Sequence, residues 1–215
     1  MNKSYFNSFT LKWIAIITML IDHIGSILFP DHLWLRFLGR LSFPIFCFLI
    51  VEGYRHTHNF KKYVLRLFIF ALITEPIYDW AFLDTYWSLK RQNVLLTFVL
   101  GLLMLYVYER VREPYKMFSL VGFFVVAYFV KADYGIYGLL LILLLYLCFQ
   151  NKTKEAGAII IWNLLYLPSF QILGGLSSFF IYFYNGKRGP KMKYFFYLFY
   201  PLHLLILVAI KNYLF

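Results

Sequence analysis

The stretch LKWIAIITMLIDH, residues 11–23, decides how the chain is read. It is an apolar helix that ends on an acid and an imidazole. Such groups are costly at membrane depth and face a cavity or a partner, which makes them functional-site candidates. Lys12 and His23 are eleven residues apart. Eleven steps of ~100° return to nearly the same helix face, ~16 Å further along. One helix is therefore expected to line a groove, with a cation at its base and a titratable ring about half a membrane away.

The rest of the chain carries the same signature. Hydrophobic residues make up 62% of its 215 residues, and the mean hydropathy is +0.68, well above a soluble mix. Many Tyr, Trp and Phe fall near expected helix ends, as interface anchors do. The length leaves room for about nine short spans and no soluble domain. The net charge of +11 is not a nucleic-acid signal, because the basic residues sit in short loops between apolar runs. Cys47 and Cys148 lie inside apolar spans and read as small buried thiols, with neither a disulfide nor a metal site expected. The first apolar segment lacks a small-residue cleavage site and carries Asp22 and His23, which argues against a signal peptide.

An all-α polytopic bundle follows, with helices expected at about 11–29, 33–52, 62–83, 93–108, 117–130, 134–150, 156–168, 169–184 and 194–213. The seventh and eighth are short for a ~30 Å core and read equally as a re-entrant pair or one broken helix. With the N-terminus cytoplasmic, the inner side collects 15 of the 21 basic residues, from Lys3, Lys12 and Arg55 to Arg188, Lys191 and Lys193. The expected orientation is N-in and C-out with nine crossings. No long-period repeat supports an inverted-repeat transporter.

At ~1.5 Å per residue, Asp22, His23 and Arg40 fall at a similar depth. Glu75 and Asp79 lie one turn apart in the outer half of the third helix, and His203 lies near the middle of the ninth. Asn93 and Asp133 open the fourth and sixth helices on the outer side. Each also has a plain structural reading: Asp22 with Arg40 as an ion pair, Glu75 or Asp79 holding a group near Pro76, His203 as a packing hydrogen bonder. His23 is the strongest candidate, because imidazole titrates near neutrality and can carry a proton either way. On the inner face, Gly53–Asn59 and Tyr184–Pro190 combine glycines with bases. That combination suits phosphate, and equally any inner loop facing anionic lipid. There is no P-loop, HExxH, CxxC or GxSxG.

Five stretches resemble the TraX family, membrane proteins linked to N-terminal acetylation of conjugative pilin: LKWIAIITMLIDHIG (11–25), LRFLGRLSFPIFCFLIVEGYRHT (35–57), NVLLTFVLGLL (93–103), ADYGIYGLLLILLLYL (132–147) and YNGKRGPKMKYFFYLFYPLHLLIL (184–207). Together they cover about half the chain, in order. The first helix also resembles that of integral-membrane acyltransferases of the acyltransferase-three type. There an Arg and a His are separated by ten residues; here Lys12 stands in the Arg position and His23 in the His position. Lys keeps the charge but not the bidentate fork.

The resemblance implies an acetyltransferase of the bacterial cytoplasmic membrane that uses cytoplasmic acetyl-CoA. Its acceptor would be an amine or hydroxyl on an exported pilin-like peptide, or on a glycan or lipid. On that reading His23 is the general base, with His203 or Glu75 as its partner. Asp22 pairs with Arg40 or a neighbouring helix, and Arg40 stabilises the thioester oxygen. Lys187 and Arg188 contact cofactor phosphates, with Lys12 and Arg55 in support, and Asn185 and Gly186 shape that loop. Asp79, Asn93 and Asp133 steer the acceptor. Two other readings are a transporter with Asp22, His23, Glu75 and Asp79 as a proton relay, and a non-catalytic assembly partner of another membrane protein.

Overall fold

The computed structural model describes residues 5–214; Lys3, counted above on the inner side, lies outside them. Among the described residues the chain is helical without a strand, its β-contacts being two isolated bridges. Four helix starts follow asparagine. Asn7, Asn59, Asn93 and Asn151 each accept a backbone N–H of the first turn of α1 (Ser8–Ile27), α4 (Phe60–Leu83), α5 (Val94–Arg110) and α8 (Lys152–Leu164).

The second expected helix divides. Pro44 has no N–H to give the Arg40 carbonyl, and the chain turns at Arg40-Leu41 between α2 (Leu33–Gly39) and α3 (Ser42–His56). Ser42 Oγ donates to the Gly39 carbonyl at 2.8 Å across this turn. Pro76 and Pro201 lie inside α4 and α10 (Lys193–Leu214) without ending either. α6 (Tyr115–Val130) and α7 (Gly135–Leu147) fall close to expectation.

The expected eighth helix, 169–184, is instead a 3-10 helix over Phe170–Leu176 followed by a short α9, Ser177–Tyr182. Gly174 shows why the segment is tight. A Cβ there would lie 2.4 Å from Asn163 Oδ1 and 3.1 Å from the Arg40 carbonyl oxygen. Its tip is tied down as Tyr137 Oη donates to Asn163 Oδ1 at 2.9 Å and Gln171 Nε2 donates to Tyr137 Oη at 3.1 Å.

Among the described residues, three stretches are long and apolar enough to cross a membrane: Ser8–Ile27, Leu33–His56 (α2 and α3 together) and Lys193–Leu214. The packed centre holds Phe43 and Phe48 of α3, Leu102 and Met104 of α5, and Leu139 and Ile142 of α7. α6, by contrast, buries Leu120 and Ala127 and leaves Phe118 and Phe129 bare, a face suited to lipid.

Helices α1, α4 and α10 start at one end of the bundle, where the basic loops gather. At the other end Lys211 of α10 pairs with Asp84, the C-cap of α4, at 2.8 Å. This parallel trio, closed by α3 and α5, frames the site.

At the basic end, Glu155 in the first turn of α8 is only 4% exposed and accepts from Gln150 N–H at 3.1 Å. Burial pushes its carboxyl up to about 7, with Glu52 nearby adding to the shift. A raised carboxyl favours the protonated fold. Its stabilising contribution is full below the unfolded value near 4.5 and is lost as pH rises through about 7. Glu155→Gln is therefore expected to raise stability at pH 8 by about 2 kcal/mol, some 4–8 °C in Tm, with the gain vanishing near pH 5. Melting curves in nanodiscs at both pH values check this; equal melting at pH 8 would count against it.

Candidate functional site

His23 sits on the inward face of α1. Its Nδ1 lies 2.6 Å from Nε2 of His203 on α10, with the two rings nearly parallel and 4.9 Å apart. The hydrogen positions follow from the far end of the chain of contacts. His203 Nδ1 is 2.7 Å from the Phe199 carbonyl oxygen, which can only accept. Nδ1 of His203 therefore carries its hydrogen, and in the neutral ring Nε2 accepts. The hydrogen in the 2.6 Å contact belongs to His23 Nδ1. That leaves His23 Nε2 with the free lone pair, beside Phe82 and Tyr200. A carbonyl fixing one imidazole, which fixes a second, is the arrangement a general base needs.

Asp22 points elsewhere. Its Oδ1 accepts from Arg40 Nη2 at 2.8 Å and from Arg36 Nε at 3.0 Å, both on the α2 side. Arg36 also donates to Ser26 Oγ at 2.8 Å. Gly39 lets α2 come this close, since a Cβ there would be 2.2 Å from Asp22 Cβ. Glu75 is engaged by Asn93 rather than by His23; the Asn93 side chain also donates to the Ala71 carbonyl at 2.9 Å. Asp79 Oδ2 accepts from Ser88 N–H at 2.6 Å, and Asp133 pairs with Arg91, so these outer residues hold the loops over that end. Glu75 Oε1, Tyr78 Oη, Asp79 Oδ1 and Thr97 Oγ1 are buried without a partner among the described residues.

A cavity of about 520 Å³ opens at the basic end. Lys12, Ile16 and Met19 line it from α1, and His23 is the next residue on that stripe. Phe196 and Tyr200 line it from α10, and His203 is the next on theirs. Val94, Leu95 and Phe98 of α5 form its deep wall. The size is that of an ordinary ligand site. Its mouth carries Lys12, Arg66, Arg188, Lys191 and Lys193, against one carboxylate, Glu52. Among the described residues none of these five cations is paired with a carboxylate; Glu52 instead meets His56 at 3.2 Å.

The loop that brings Arg188 there is stitched to α1. Ser8 N–H donates to the Lys187 carbonyl at 2.8 Å and Phe9 N–H to that of Arg188 at 3.1 Å. Gly186 and Gly189 adopt φ of +74° and +70°. Gly186 and Arg188 line the cavity, whereas Asn185 and Lys187 do not; Asn185 Oδ1 accepts Lys187 N–H at 2.9 Å. Arg55 is apart from the cavity: it meets Glu109 at 3.3 Å and lies over Tyr146. Arg36, Arg66, Lys191 and Lys193 were not singled out from sequence. Arg66 had one available signal, a base placed six residues inside an apolar helix.

A family model described as TraX protein matches residues 8–211. The chain belongs to the TraX family. Another relative, a probable fimbrial assembly protein FimC (serogroup H1) of Dichelobacter nodosus, is 34% identical over 97% of both chains. An uncharacterized protein of Rickettsia prowazekii is 29% identical over 67% of this chain and 56% of its own. No solved structure matches. Apolar helices and TraX membership together mark a membrane protein.

Proposed function

We propose that this TraX protein is a multi-pass acetyltransferase of the cytoplasmic membrane, acting on pilin or a similar exported acceptor. Acetyl-CoA would reach it from the basic end, which we assign to the cytoplasm, giving N-in, C-out and nine crossings. One observation carries the reading: a cavity whose mouth holds five cations without carboxylate partners, and whose two helical stripes lead to the His23–His203 pair. Unpaired cations at the mouth suit phosphates, and the apolar walls suit a neutral arm.

In the reaction, an acceptor amine attacks the thioester carbonyl carbon. His23 Nε2 takes the amine proton, the C–S bond breaks, and the thiolate leaves to be protonated. Products are the N-acetyl amide and free thiol; a hydroxyl acceptor would give an ester by the same steps. His203 holds the hydrogen on His23 Nδ1 and is a positioning residue. Arg40, tied to Asp22 nearby, supplies positive charge towards the developing oxyanion. TraX membership supports the acetyl class, and the fimbrial relative supports pilin as acceptor.

Calorimetry of acetyl-CoA with purified protein in nanodiscs tests the cavity. Wild type is expected to bind below about 1 mM. Arg188→Ala/Lys191→Ala is expected to bind at least about tenfold more weakly, having lost two charge-assisted contacts. A folded wild type that ignores about 1 mM acetyl-CoA would overturn the acetyltransferase reading.

A further inference from the structure

Arg66, one of the five cations at the mouth, has no role of its own in the reading above. It lies six residues into α4, ~9 Å from the helix start. It lines the cavity, and its Nε is buried without a hydrogen-bond partner among the described residues. Among the described residues no carboxylate pairs with it; it meets the hydroxyl of Tyr197. A guanidinium with a buried donor left open is costly unless something anionic completes it. Beyond Arg66 the walls turn apolar and aromatic, through Ile16, Met19, Leu67, Phe98 and Tyr200. Tyr197, whose hydroxyl Arg66 meets, lies six residues before His203 on α10, ~9 Å along that helix.

We infer that Arg66 is the phosphate clamp of this cavity and sets the reach of its ligand. The ligand has a phosphate or diphosphate held by the guanidinium, then a long uncharged arm that carries its reactive end to the histidine pair. Arg66 is preferred to the loop bases as clamp because it is a planar fork on a rigid helix, whereas Arg188 and Lys191 ride on a loop. This rests on the acetyl-CoA reading for the identity of the arm but not for the clamp. The same head chemistry occurs on a soluble thioester carrier and on an anionic lipid.

The test measures binding to wild type, Arg66→Met and Arg66→Lys in phosphatidylcholine nanodiscs. The probes are CoA, 4′-phosphopantetheine, pantetheine and inorganic pyrophosphate, with melting curves alongside. Arg66→Met is expected to lose about 10–100-fold for the three phosphate-bearing probes and nothing for pantetheine. Arg66→Lys should fall between, since it keeps charge without the fork. Wild-type affinity for CoA in a folded Arg66→Met overturns the clamp. So does an equal loss for pantetheine, which would make Arg66 merely structural. If wild type ignores CoA, the acetyl-CoA reading fails separately. The clamp then stands only if pyrophosphate, or added phosphatidylglycerol, still binds in an Arg66-dependent way, and falls if neither does.

Discussion

His23→Ala is expected to lower acetyl transfer by about 10³-fold, within the range one positioned acid–base group supplies. Nδ1 of His23 gives its hydrogen to His203, so Nε2 is the nitrogen left to accept the acceptor's proton, and alanine has no replacement. Acetyl-CoA binding should be nearly unchanged, because the ring lies beyond the cavity lining. Initial rates with labelled acetyl-CoA and a pilin-like amino-terminal peptide, beside calorimetry on the same preparation, separate the two effects. His203→Ala should lose less, about 10–100-fold, because His23 keeps its ring but loses its fixed tautomer. His203→Asn, whose amide oxygen can accept from Nδ1, should recover part of that loss. A His23→Ala protein with near-normal turnover would end the general-base assignment, whatever the cavity binds.

Asp22→Ala is expected to destabilise the protein by about 3 kcal/mol, at the lower end for a broken buried pair, because Arg36 keeps some exposure. For a chain of this size that is roughly 6–12 °C in Tm. One carboxylate oxygen answers two guanidinium groups at 2.8 and 3.0 Å, so its removal leaves both without counter-charge beside α1. Asp22→Asn should cost less, as the amide oxygen still accepts. The pair also determines how α2 lies on α1, so Gly39→Ala, which drives a Cβ into Asp22, should destabilise through the same contact. Melting within about 3 °C of wild type for Asp22→Ala would show that the two arginines find other partners, and would remove Asp22 from the account of the fold.

Local rules made part of this visible in the sequence. Eleven-residue spacing places Lys12 and His23 on one stripe, and Lys12, Ile16 and Met19 do line one cavity. Depth counting set Arg40 level with Asp22, and they touch. Pairings with no local cause were less legible. His203 and Glu75 were both open as partners of His23; a contact 180 residues apart in sequence is decided by how α10 packs on α1 and α4. Arg36 is one turn before Arg40 and shares its acid, but its composition reads as an ordinary outer charge. Arg66 looked like one more inner-loop base, because only the fold shows which bases lack a carboxylate. The stretch 165–176 defeated helical periodicity, while α9 falls inside the expected 169–184: Gly174 and Gly175 together with the crowding around Asn163 favour the tighter 3-10 winding.

The separation of the two histidines also orders events at the ribosome. His23 is made 180 residues before its partner. At bacterial or slower elongation rates α1 stands in the bilayer for about 10–40 s before α10 emerges. Until then Nδ1 has no imidazole to bind, and the ligand chamber lacks the Phe196–Tyr200 wall. On the acetyltransferase reading proposed above, a polypeptide interrupted before α10 would lack both the histidine pair and this wall, and would consume no acyl donor however well its earlier helices have inserted.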